Sequence, residues 1–202
     1  MTIIASINQL MSCVLADTTK HSHALIKEDD MSAKLKKLTI SDLNPNMTVL
    51  GLDEGRKVKK GRKKVMDCLS PLFDQNSGTD HNRACDAVLV WENQPGKCHI
   101  VYIDLKSDQP RNYKGQFQGA SCFMRYIQVL LKEFFHQSMA IEFEKFIIFH
   151  TDSSNGVKTL KKTKSRFQPS TTTPEKPEKR LIHNGITVSC SDIIEMQKNQ
   201  LT

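Results

Sequence analysis

Several things are missing from this 202-residue chain, and each absence closes a class of function. No apolar run approaches the about eighteen residues that a membrane span needs. The N-terminal stretch MTIIASINQLMSCVLAD is apolar, but no positive charge precedes it and its polar residues recur at helical spacing, so it reads as a helix rather than a secretory signal. The cysteines Cys13, Cys68, Cys85, Cys98, Cys122 and Cys190 are scattered, with no Cys-x-x-Cys pair. A structural zinc site recruits its ligands in close pairs, so a zinc ribbon or finger is not expected. Small buried thiols in a reducing cytoplasm account better for them. There is no Gly-x-Ser-x-Gly elbow and no phosphate-cradling glycine loop. His81, His99, His136 and His150 lack partner spacing for a metal or a triad and read as surface or core residues. No internal repeat is present.

What is present is positive charge. Twenty-nine Lys and Arg against 22 Asp and Glu give a formal charge of +7, with 38% hydrophobic and 25% charged residues overall. This balance describes one globular domain with polar extensions and suits a polyanionic partner, because neutralised phosphates release counterions. The surplus is concentrated. Arg56, Lys57, Lys59, Lys60, Arg62, Lys63 and Lys64 place seven cations in nine positions. If that segment is helical, Val58, Val65, Met66 and Leu69 leave only a thin apolar stripe. Such a run repels itself, which favours an anionic partner over an idle solvated face.

Organisation follows from periodicity. Ile3, Ile4, Ile7, Leu10, Met11, Val14 and Leu15 keep the spacing of an amphipathic helix. That helix packs on its own domain or, being followed by the polar stretch 17–30, docks a partner or a second copy. A short helical piece is expected around 30–38, making 1–40 an N-terminal helical extension and 41–202 the main domain. An edge strand is expected near 70–75. Residues 86–92 and 98–106 are apolar and β-branched, and Asn93-Gln94-Pro95-Gly96 between them is a turn signal, so the two form a hairpin. The second run is apolar on both faces, as a central strand is. Residues 116–135 read as a helix with Ala120, Phe123, Ile127, Leu130, Leu131 and Phe134 on one stripe, and 142–150 as a returning strand. A long helix between two strands implies a crossover. Residues 151–181, rich in Ser, Thr, Pro and Lys, read as a polar basic loop that includes Lys161 and Lys162, and 186–196 as a short strand with a helical cap.

The chemistry-bearing residues stand at the end of the central run. On a strand, Asp104 and Lys106 project from one face and Leu105 from the other. Asp86 opens the neighbouring strand, so a short turn brings Asp86 and Asp104 to the same edge of the sheet. Two carboxylates there can share a divalent cation, and the Leu105 carbonyl could add a third oxygen. Hydrolysis of a phosphodiester needs such a cation to neutralise charge and acidify a water, with a lysine nearby to stabilise hydroxide or transition state. Gln116 begins the buried stripe of the helix and points its amide toward the sheet, whereas Gln118 lies around the far side. The bland alternatives are an i, i+2 salt bridge between Asp104 and Lys106 on a strand edge, and an Asp86 that merely starts a strand.

The order Asp86, seventeen residues, Asp104-Leu105-Lys106 and a helix led by Gln116 resembles the PD-(D/E)xK, restriction-endonuclease-like superfamily, over roughly residues 53–150. The resemblance implies an α/β fold in which a central mixed sheet is flanked by helices, and Mg²⁺-dependent cleavage, with Mn²⁺ as a substitute. It makes Asp86 and Asp104 metal ligands, Lys106 the group that activates the nucleophile, and Gln116 a residue that orients the site. An acidic residue on the first helix is also implied, for which Glu54 and Asp67 compete. The context Arg83-Ala84-Cys85-Asp86 resembles small bacterial nucleases linked to restriction and phage defence. The expectation is an endonuclease acting on nucleic acid, DNA favoured, with 56–64 and Lys161 and Lys162 gripping the backbone. Its rivals are a non-catalytic nucleic-acid-binding subunit and a regulatory subunit held in a complex by the N-terminal helix.

Overall fold

The computed structural model describes residues 1–15, 22–28, 33–52, 57–60, 63–66, 83–107, 111–151 and 172–194. Its centre is a five-stranded mixed sheet built from β3 (Met47–Leu50), β6 (Ala87–Gln94), β7 (Lys97–Lys106), β8 (Ala140–His150) and β9 (Glu178–Leu181), in that spatial order. The first three strands run antiparallel to their neighbours, and β8 and β9 continue parallel to β7. The β6–β7 hairpin turns at Pro95-Gly96, where Gly96 adopts a φ of 75° that a side chain would strain. The helix α2 (Lys114–Phe135) makes the crossover from β7 to β8.

Strand parity sorts the core into two layers. Tyr102, Ile100 and Cys98 of β7, with Phe146 and Ile148 of β8, pack under α2 and α1 (Ile3–Leu10). Val101, Ile103 and Leu105, with Ile147 and Phe149, face a second sheet of β1 (Ala24–Lys27), β2 (Lys37–Ser41) and β10 (Thr187–Ser189), closed by the short helix α3 (Cys190–Ile194). The molecule is therefore α/β, with mixed sheets flanked by helices.

The N-terminal third departs from expectation. Residues 33–36 form no helix, and β2 follows them, its Leu38 and Ile40 buried by two-residue alternation. The boundary expected at residue 40 falls inside this strand, which pairs with β10 from the far end of the chain. The first helix stops at Leu10, and Val14 instead bridges Leu50. Ile3, Ile4 and Ile7 are buried in the chain's own core, so α1 takes the first of the two placements open to it and packs on its own domain. Thr2 caps α1 through its hydroxyl, and the buried Glu92 carboxylate accepts from Ile3 N at 3.0 Å and Gly96 N at 3.0 Å, tying helix to hairpin.

The basic segment is a strand pair, not a helix. β4 (Lys57–Lys60) and β5 (Lys63–Met66) are antiparallel and form a sheet of their own, with Lys59 opposite Lys64 and Lys60 opposite Lys63. The stripe of α2 also differs by about one residue. Phe117, Ala120, Met124, Ile127 and Leu131 are buried, Phe123 and Leu130 are half-buried, and Phe134 is 73% exposed. The cause is ring packing: Phe117 meets Phe146 edge-on at 5.4 Å, and Phe146 stacks on Tyr102 at 4.7 Å. Within the expected 151–181 loop, the last residues form β9. The strand expected near 70–75 lies outside the described residues. Among the described residues no helix is long and apolar enough to cross a membrane.

Candidate active site

Three strands and one helix end meet at the carboxyl end of β7. Ala87 pairs with Ile103, so one step further places Asp86 across from Asp104. Both carboxylates are withdrawn from solvent, Asp104 completely and Asp86 to 6% exposure. Asp86 Oδ2 accepts a 2.5 Å hydrogen bond from Leu105 N, which fixes the ends of the two strands to each other. Asp86 therefore does more than begin a strand.

Asp104 and Lys106 lie on the α2 face, as alternation along β7 requires. Lys106 Nζ is 2.8 Å from Asp104 Oδ2 and donates a 2.8 Å hydrogen bond to Gln116 Oε1. The i, i+2 ion pair is thus present, but on a central strand and with its carboxylate wholly buried. Removing a carboxylate from water costs several kcal/mol, and burying an ion pair in place of apolar packing is a poor way to stabilise a sheet. Gln116 is half-buried on the first turn of α2 and touches Lys106, whereas Gln118 is exposed and binds Glu175 at 3.2 Å. The first turn of α2 carries no acidic residue of its own.

The site has a basic rim. Lys114 on the first turn of α2 and Lys179 on β9 are exposed beside it, and Arg83 and Arg111, three residues before Asp86 and five after Lys106 in sequence, are exposed too. Lys179 Nζ lies 5.5 Å from the centre of the Tyr113 ring at the head of α2, and Lys114 pairs with Glu175 at 3.3 Å. One step back along β7, the buried Tyr102 hydroxyl donates to Glu144 at 2.7 Å, and Arg125 and Ser121 hold the same carboxylate. Burial, followed by the Glu144 charge, pushes the Tyr102 phenol well above its usual range, so it stays a neutral donor.

For a divalent cation the donors are two carboxylates and the Leu105 carbonyl, all oxygen. That set fits Mg²⁺, which keeps several waters and takes one or two protein carboxylates. Among the described residues no cluster of three His, Cys, Asp or Glu side chains forms a fuller cage. Glu54, Asp67, Arg56, Arg62, Lys161 and Lys162 lie outside the described residues. Lys57, Lys59, Lys60, Lys63 and Lys64 belong to the β4–β5 pair. His150, without a spacing partner in the sequence, stands in register with Lys106 at the end of β8. No family model, no curated protein and no solved structure matches this chain.

Proposed function

We propose that the protein is a Mg²⁺-dependent nuclease of the PD-(D/E)xK kind, hydrolysing phosphodiester bonds of DNA. The observation that carries this reading is the convergence of Asp86, Asp104, Lys106 and Gln116, from two strands and a helix, at one end of a central strand. The meander β3–β6–β7, the crossover helix and the parallel strand β8 add support, since the resemblance implies a mixed sheet with such a crossover.

Asp86 and Asp104 would hold the cation, with Leu105 offering its carbonyl. The chemistry it supplies when bound is charge neutralisation at the phosphate and acidification of a water. The chain's own residues do the rest. Lys106, held in place by Asp104 and Gln116, presents a fixed ammonium where negative charge develops during attack. Gln116 limits the directions that ammonium can take. The basic rim and the β4–β5 lysines attract the phosphate backbone without reading bases. A role against foreign DNA fits the resemblance and nothing more specific. A non-catalytic binding subunit is disfavoured because the full set of polar groups is retained at a cost in burial.

Plasmid incubated with purified protein and Mg²⁺ or Mn²⁺ tests the reading. Cleavage is expected, and Asp104→Ala and Lys106→Ala are expected to abolish it. No cleavage with any metal, or mutants that cut like the parent, would overturn it.

A further inference from the structure

His150 is the last residue of β8, which runs parallel to β7 with Lys106 and His150 as register partners. Phe146 and Ile148 of the same strand pack in the layer under α2, while Ile147 and Phe149 pack in the layer beneath. Alternation therefore puts the His150 imidazole on the α2 face, the face that carries Asp104 and Lys106. Adjacent strands lie about 4.8 Å apart, so the imidazole neighbours the Lys106 side chain. The residue is half-buried. Its backbone is held from both sides: His150 O accepts from Ile182 N at 2.9 Å, and the next residue's N–H donates to Lys106 O at 3.4 Å.

The spatial order of the strands gives this placement meaning. Asp86 comes from the β6 side, Asp104 and Lys106 from β7, and His150 from the β8 side. An anion seated over the end of β7 would meet carboxylates on one flank and an imidazole on the other. Lys106 Nζ is already engaged by Asp104 and Gln116. A second donor on the β8 flank is what a tetrahedral phosphate with two non-bridging oxygens would use.

We propose that His150 is a substrate-contacting residue whose ring N–H donates a hydrogen bond to a non-bridging oxygen of the scissile phosphodiester, on the side of Lys106 away from Asp86. The proposal rests on the nuclease reading and extends its site to a third strand. A neutral imidazole suffices, because one ring nitrogen always carries a proton to donate.

The test measures kcat and KM on a short DNA duplex with Mg²⁺ for the parent, His150→Ala, His150→Gln and an Asp104→Ala control, with thermal unfolding of each. Loss of one donor to a phosphate oxygen predicts a fall in kcat of about a hundredfold for His150→Ala, with KM within about threefold and the melting temperature unchanged. His150→Gln keeps an N–H donor and is expected to run at least about tenfold faster than His150→Ala. Parental rates in both variants beside an inactive Asp104→Ala overturn the role of His150 and leave the nuclease reading standing. Equal losses in both variants, or a change confined to KM, also overturn it. If the parent cuts nothing, the nuclease reading fails and the His150 hydrogen bond falls with it.

Discussion

At the scale of the residue, Asp104 and Lys106 carry opposite energetic signs. The ion pair has a fully buried carboxylate and a lysine side chain 21% exposed, so breaking it from one side leaves charge in a poor medium. Lys106→Met is expected to abolish cleavage and to destabilise the fold by about 3 kcal/mol. The double variant Asp104→Asn/Lys106→Met is expected to recover most of that stability while staying inactive. Urea unfolding beside the plasmid assay checks both halves, and recovered activity in the double variant would contradict the catalytic role. These two residues were legible in the sequence because strand alternation is a strict period and they interrupt an apolar run. Gln116 was legible from its place on the helix. His150 was not, since a strand end gives a lone histidine no spacing to be read by, and only the β7–β8 register brings it beside Lys106.

At the scale of the element, legibility followed length. The ten-residue β7 and 22-residue α2 repeat their pattern often enough to be read, whereas β1, β2 and β3 have four or five residues each. Leu38 and Ile40 do alternate with polar neighbours, yet so short a pattern is little beside the charge around it. The basic segment misled for a related reason, since a run of lysines hides whatever period underlies it. Like charges at directly opposite ladder positions carry a penalty in a two-stranded sheet, and the β4–β5 register pairs Lys59 with Lys64 and Lys60 with Lys63. A polyanion removes that penalty. Duplex binding is expected to weaken linearly in log–log plots against salt. Replacing Lys59, Lys60, Lys63 and Lys64 with Ala should lower the slope by about 0.9 for each phosphate that the hairpin no longer neutralises. A salt slope unchanged by all four replacements would remove this hairpin from the interface.

At the scale of the whole molecule, a buried charge network holds the second layer to the first. Lys145 is 4% exposed on β8, pairs with Glu178 of β9 at 3.0 Å and donates to Ile193 O of α3 at 3.1 Å. Arg180 binds Glu178 at 2.6 Å and donates to Asp192 O at 2.9 Å. Burial pushes the Glu178 carboxyl up, but hydrogen bonds from Arg180 and Lys145 outweigh it and hold the carboxyl below its usual range. A carboxyl whose folded pKa lies below its unfolded one stabilises the fold fully above the ordinary carboxylate range. That contribution is lost as pH falls through the depressed value. Unfolding midpoints measured downward from neutral pH should therefore drop on entering the carboxylate range, and Glu178→Gln should flatten part of the drop. Among the described residues Cys13 and Cys85 are buried as expected of small apolar thiols, Cys122 on α2 is exposed against that expectation, and Cys98 and Cys190 are buried as well. Both are pushed up to about 12 by desolvation, then by neighbouring carboxylates, and so remain protonated and inert.

The parallel pairing of β2 with β10 sews residues near one end of the described chain to residues near the other. A peptide bond cut anywhere between those strands would leave two pieces still gripping each other through the β2–β10 ladder, as a split protein does. The corner that gathers Asp86, Asp104, Lys106 and Gln116 lies wholly within residues 86–150. It is framed by that closure and takes nothing from it.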